Sequence, residues 1–151
     1  MPDNNKLATE KMHTLEKLKE SLSSEYAFKV SKTRNFLKLV KEDFDTYTIY
    51  VKESNLHDGF WGLNENQITK LKSLNKRWGV VLLIREFNKG YYFNPDEVEA
   101  LLNDPRTSYA VSDFKIHERQ IEKNKYFKSI SEFIKLVYHR TENVDECRRI
   151  H

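Results

Sequence analysis

Lys52 lies in the run TIYVKES, residues 48–54, whose β-branched, aromatic and polar residues alternate as in a strand. Residues two apart on a strand share a face. Tyr47, Ile49 and Val51 therefore form one apolar face, and Thr48, Tyr50 and Lys52 form the other. A lysine two residues beyond an acid is a pattern suited to phosphodiester cleavage. A hard divalent cation takes charged oxygens as ligands and lowers the pKa of its bound water. Here Tyr50 stands in the acid's place. A phenol with an ordinary pKa of about 10 is neutral near pH 7 and brings no charge to a cation.

Other residues capable of chemistry have simpler readings. His57 and Asp58 sit together in a glycine-containing loop, but the five histidines show no ligand spacing. Lys70, Lys72, Lys76 and Arg77 read as the solvated face of a helix, and His117–Arg119 as exposed. Phe60 and Trp61 suit burial under a loop, Tyr50 reads as a half-exposed strand aromatic, and Tyr91, Tyr92 and Phe93 read as core and sheet surface. Cys147, the single cysteine, excludes an internal disulfide and a thiolate metal cluster.

The elements that must position Lys52 can be read in order. Met12, Leu15, Leu18 and Leu22 recur at three- and four-residue steps, predicting an amphipathic helix from Leu7 to about Ser23. Strands follow over 25–30, over FLKLV (36–40) and over TYTIYVKES (46–54), the last two joined by the turn KEDFD. After the loop NLHDGFWG, Asn64 and Gln67 suggest the start of a helix whose stripe is Ile68, Leu71 and Leu74. The run VVLLI reads as a strand buried on both faces. After the turn NKG and the strand YYF, Asn94 as cap, Pro95 at the first position and Glu97 at the third begin another helix. YAVSDFKI reads as a strand, HERQIEKNKY as a polar loop, and Ser129 with Glu132 caps a final helix. The expected architecture is α/β (α+β): one mixed central sheet flanked by helices, in the order α-β-β-β-α-β-β-α with a C-terminal helix. A single domain over residues 1–151 is expected, with a core over about 7–103 and an extension over about 104–151.

The chain has 151 residues, 38% hydrophobic, 32% charged and 13% aromatic, which fits a folded domain and argues against a disordered tail. WGVVLLI is too short to span a bilayer, and MPDNNKLATEK has no apolar secretory core. No membrane partner and a reduced, cytoplasmic setting are expected. A net charge of +3 permits nucleic-acid binding without demanding it, since steering depends on local patches.

The strand hairpin leading to VKESN, the Gln-bearing helix ENQITKL, the strand WGVVLLI, then GYYFNPDEVEALL and SYAVSDFKI with SISEFIKLV, resemble in their order the PD-(D/E)XK nucleases. Within that superfamily the chain is most similar to the archaeal Holliday junction resolvases. The resemblance covers roughly Leu7 to Tyr138 and rests on order more than on any one motif. It implies a restriction-endonuclease-like fold, an Asp at the start of the second strand and a Glu-X-Lys at the end of the third, whose acids hold Mg²⁺ while the lysine orients or activates the attacking water. Matched residue by residue, the Asp position falls on Asn35 and the Glu on Tyr50, while Lys52 and Gln67 fit.

The resemblance therefore implies a resolvase-like, DNA-binding protein with a degenerate site, no cofactor and no nuclease chemistry. Its DNA partner, branched DNA included, would meet Lys29, Lys32, Arg34 and Lys52, and the chain would act as a homodimer. Two alternatives accompany it. One is an active Mg²⁺-dependent endonuclease with acids relocated to Glu16, Glu20 or Glu53. The other is a scaffold or regulatory subunit paired with an active nuclease paralogue.

Overall fold

The computed structural model describes residues 2–42 and 44–138, with residues 2–13 and Phe44 described as backbone only. The expectations for Asp43, Cys147 and the Met12 side chain lie outside the described residues.

The chain folds as a mixed α+β domain around a six-stranded mixed sheet. Helix α1 (Pro2–Tyr26) runs three residues past the expected end. It stops where Ala27 takes a positive φ of 60°, so the strand expected over 25–30 begins only at β1 (Lys29–Thr33). β2 (Phe36–Lys41) and β3 (Phe44–Ser54) complete an antiparallel meander. The segment read as a loop after Ser54 contains a strand, β4 (Phe60–Asn64).

Asn64 then caps α2 (Glu65–Lys72) by accepting from the Gln67 amide at 3.2 Å, as its spacing predicts. α2 is shorter than expected, because Asn75 and Lys76 both adopt positive φ and turn the chain into β5 (Trp78–Ile84). β5 lies parallel to β3 and is buried along its whole length, as an apolar run between two covered faces should be. β6 (Gly90–Phe93) follows antiparallel, and α3 (Pro95–Leu102) starts with the complete capping box expected at Asn94 and Glu97.

The C-terminal part departs most from expectation. YAVSDFKI is not one strand but a hairpin, β7 (Ser108–Ala110) and β8 (Asp113–His117), joined by the turn Val111–Ser112. With β4 it builds a second, three-stranded sheet in the order β4-β8-β7. The polar stretch after it forms two 3₁₀ turns (Glu118–Gln120 and Lys123–Lys125) and the short edge strand β9 (Tyr126–Phe127). A last helix, α4, covers residues 130–138, with Ser129 Oγ accepting from the Glu132 amide at 3.2 Å. The large sheet has the order β1-β2-β3-β5-β6-β9.

Two cores lie on opposite faces of this sheet. On one, α1 and α4 bury Leu18, Leu22, Leu37, Ile49, Val51, Val81, Leu83, Phe133 and Val137. On the other, α2, α3 and the small sheet bury Tyr50, Trp61, Leu63, Ile68, Leu71, Val80, Leu82 and Ile116. Helices on both faces of a sheet with a parallel pair are a stable layered arrangement. Among the described residues no helix is long and apolar enough to cross a membrane.

Candidate nucleic-acid interface

The meander brings three of the residues singled out in the sequence to one end of β3. Arg34 and Asn35 form the turn between β1 and β2, Arg34 with a φ of 55°. Asn35 reaches across to β3: its carbonyl accepts from the Val51 amide at 2.7 Å, and its side-chain Nδ2 donates to the Val51 carbonyl at 3.0 Å. Phe36 stands opposite Tyr50, their ring centroids 5.1 Å apart.

Tyr50 is not half-exposed but fully buried, at 0% exposure. It belongs to the core under the small sheet, because β4 crosses that face and covers it. Ser54 Oγ accepts from the Phe60 amide at 3.2 Å, and the Tyr50 hydroxyl comes against the backbone of Asn64. Lys52, between Tyr50 and Ser54 on β3, is half-buried. Burial pushes the Tyr50 phenol up to about 12, and Asp113 on β8 adds to the rise. The hydroxyl makes no well-formed hydrogen bond.

These donors do not fit a hard divalent cation. Mg²⁺ is held through charged oxygens. Asn35 presents its amide nitrogen to a carbonyl, and Tyr50 keeps its proton. The proposed substitute acids lie across the sheet from Lys52. Lys52 is level with Leu82 of the small-sheet core, whereas Glu53 is level with Leu83 of the α1 core. Glu16 and Glu20 are on α1 itself, and Glu16 is paired with Lys32 at 3.3 Å. No step through a metal follows from this arrangement. Gln67, the other residue matched by the resemblance, is half-buried near the start of α2, where its amide serves the Asn64 cap.

The four cations Lys29, Lys32, Arg34 and Lys52 divide between the two faces. Register places Lys32 with Leu37 and Ile49, on the α1 face, where Glu16 holds it. Lys29, Ser31 and Thr33 of β1 share the opposite face with Phe36, Lys38 and Val40 of β2 and with Thr46, Thr48, Tyr50 and Lys52 of β3. Lys29, Ser31, Thr33, Lys38, Val40 and Thr46 are exposed. None of these ten positions is a carboxylate, and Arg34 stands exposed at the end of the same hairpin. Lys38 escaped the sequence reading, although alternation around the Arg34–Asn35 turn carries the signal that it joins Lys29.

Elsewhere, residues read as solvated have structural partners. Lys72 pairs with Glu99 at 3.3 Å and Arg77 with Asp45. Glu118, expected to be exposed, accepts from the Gly59 amide at 3.0 Å and from the Tyr91 hydroxyl at 2.6 Å. Phe60 and Trp61 lie in a strand: Trp61 is buried with its indole N–H on the Leu83 carbonyl at 2.9 Å, and Phe60 packs on His117.

Compared with protein-family models and with curated proteins, the chain matches none.

Proposed function

We propose that this chain is a non-catalytic nucleic-acid-binding protein that lays a phosphate backbone across the open face of β1, β2 and β3. The observation that carries the reading is the composition of that face. Lys29 and Lys38 stand exposed on it with Ser31, Thr33 and Thr46, half-buried Thr48 and Lys52 lie toward the part that β4 covers, and the carboxylate nearest this face, Asp45 beyond the register shift, is paired with Arg77. Ammonium groups and hydroxyls are the donors that phosphates take from proteins, and such contacts position the ligand without reading its sequence. The donor chemistry of Asn35 and buried Tyr50 supports binding without cleavage. DNA, branched DNA included, is the ligand the resemblance to resolvases suggests.

Fluorescence anisotropy with duplex and four-way-junction DNA, across a salt series, tests this. With about three phosphates neutralised, the logarithm of the binding constant should fall with log salt at a slope of roughly −3. Lys38→Glu should weaken binding and flatten that slope, while Lys32→Ala should do neither. DNA incubated with Mg²⁺ or Mn²⁺ should stay intact. Cleavage lost in Lys52→Ala would replace this reading with the endonuclease, and no binding at low salt would replace it with the scaffold.

A further inference from the structure

The tip of the β7–β8 hairpin is built against local preference. Ala110 pairs with Asp113, leaving a two-residue turn of Val111 and Ser112 with φ of 54° and 65°. Such turns favour Asn-Gly or Asp-Gly, because both positions need the left-handed region. A β-branched residue there is a steric outlier, and Val111 is also 94% exposed. Strain held at an exposed apolar side chain points to a use for that side chain.

The tip is tied down. The Ser112 carbonyl accepts from the Glu65 amide at 2.9 Å, and Asn64 Nδ2 donates to Asp113 Oδ1 at 3.3 Å. The Tyr109 hydroxyl donates to Glu65, so the carboxylates at the hairpin base are already engaged. These contacts also set its position. Asn64 lies against Tyr50, and Tyr50 packs on Phe36 of the cationic face. Val111 therefore stands on a braced post at the margin of that face.

Resting on the nucleic-acid reading above, we infer that Val111 is an apolar wedge that enters an opened base step of the nucleic acid held on β1–β3. Apolar side chains inserted between bases are a recurrent way to hold distorted duplexes. The β1–β3 face offers exposed Lys29 and Lys38 to a polyanion, while Glu65 and Asp113 beside the turn are hydrogen-bonded within the protein. Val111 and Tyr109 are the exposed large apolar side chains of the hairpin, far short of the roughly 1,000 Å² that a specific protein interface requires.

The test uses the full chain, wild type and Val111→Asn, with Val111→Gly as a second variant. Both replacements keep the turn and relieve its strain, so the melting temperature should rise by a few degrees. The probe is a duplex carrying 2-aminopurine at a central mismatch. Wild-type protein should raise its fluorescence by unstacking the base. Both variants should lose that rise and bind about tenfold more weakly, with the salt slope unchanged because the phosphate contacts remain. Equal affinity and equal fluorescence in wild type and variants would overturn the wedge while leaving the binding face intact. A wild-type protein that binds no DNA at low salt would overturn the binding face, and the wedge with it.

Discussion

The hydroxyls of Tyr47 on β3 and Tyr92 on β6 meet above Gly79, on the strand between them. Tyr47 donates to the Trp78 carbonyl at 2.9 Å, so its oxygen accepts the Tyr92 proton. The two rings close over β5 because Gly79 has no side chain. A Cβ there would lie 2.7 Å from both the Tyr47 hydroxyl and the Tyr92 ring, and 3.0 Å from the Phe93 carbonyl. Gly79→Ala is expected to cost about 2–3 kcal/mol through overpacking. Tyr47→Phe, which strips partners from a buried carbonyl and a buried hydroxyl, should cost about 1–3 kcal/mol. The double variant should cost less than the sum, because removing the hydroxyl makes room for the methyl. Urea unfolding of the three variants checks the coupling, and strict additivity would contradict the contact.

Glu118 fastens the small sheet to the large one. One oxygen holds the Gly59 amide before β4, and the other holds the Tyr91 hydroxyl on β6. Glu118→Ala leaves both donors without their acceptor and should lower stability by about 2 kcal/mol. Glu118→Gln, which keeps one acceptor oxygen, should lose less. Urea midpoints that do not separate these variants from wild type would show the carboxylate to be dispensable.

How far the sequence reveals this molecule depends on which forces leave a local trace. The strands over Phe36–Lys41, Phe44–Ser54 and Trp78–Ile84, and the cap of α3, follow from alternation, apolar runs and Asn-Pro-Asp-Glu, all of them local. β4 and the β7–β8 hairpin do not follow, because Phe60–Asn64 becomes a strand by pairing with the distant residues Asp113–His117. Val111–Ser112 lacks the residues that announce a tight turn, so the hairpin reads as one strand. The candidate face is half legible. Alternation correctly puts Tyr50 with Lys52 and Glu53 across from them, but the burial of Tyr50 is decided by β4. The pairing of Lys32 with Glu16 depends on how α1 lies over the sheet.

Buried tyrosines make the fold sensitive to alkali. Burial pushes the Tyr50 phenol up to about 12, and burial likewise raises Tyr47 and Tyr91, the latter aided by its bond to Glu118. A raised folded-state pKa means that the fold favours the protonated phenol. That stabilisation is complete below the unfolded value near 10 and is lost as pH climbs through the folded value. Stability should therefore hold up to about pH 9 and fall steeply between about 10 and 12. Phenolate absorbance should rise together with the loss of near-ultraviolet dichroism. Ionisation of all eight tyrosines with the fold intact would contradict the burial of these three.

Placing an acid at Asn35 should damage the turn rather than create a metal site. The amide nitrogen donates to the Val51 carbonyl at 3.0 Å. A carboxylate there would set two acceptors against each other, and Asn35→Asp is expected to cost about 1–2 kcal/mol at pH 7. The sign of its pH dependence follows from the geometry. Only the protonated acid can donate to Val51, so folding would raise the pKa of the new carboxyl above its ordinary value near 3.9. The variant's deficit should then shrink as pH falls through the carboxylate range and be full above it. Chemical unfolding of both proteins between pH 4 and 7 (a window chosen about those ordinary carboxyl values) measures the difference. The same titration repeated with Mg²⁺ separates the two accounts of this position. Stability recovered at pH 7 on adding the metal would mean that the residues around Lys52 can hold a cation once one charge is supplied, and the non-catalytic reading would then rest on Tyr50 alone.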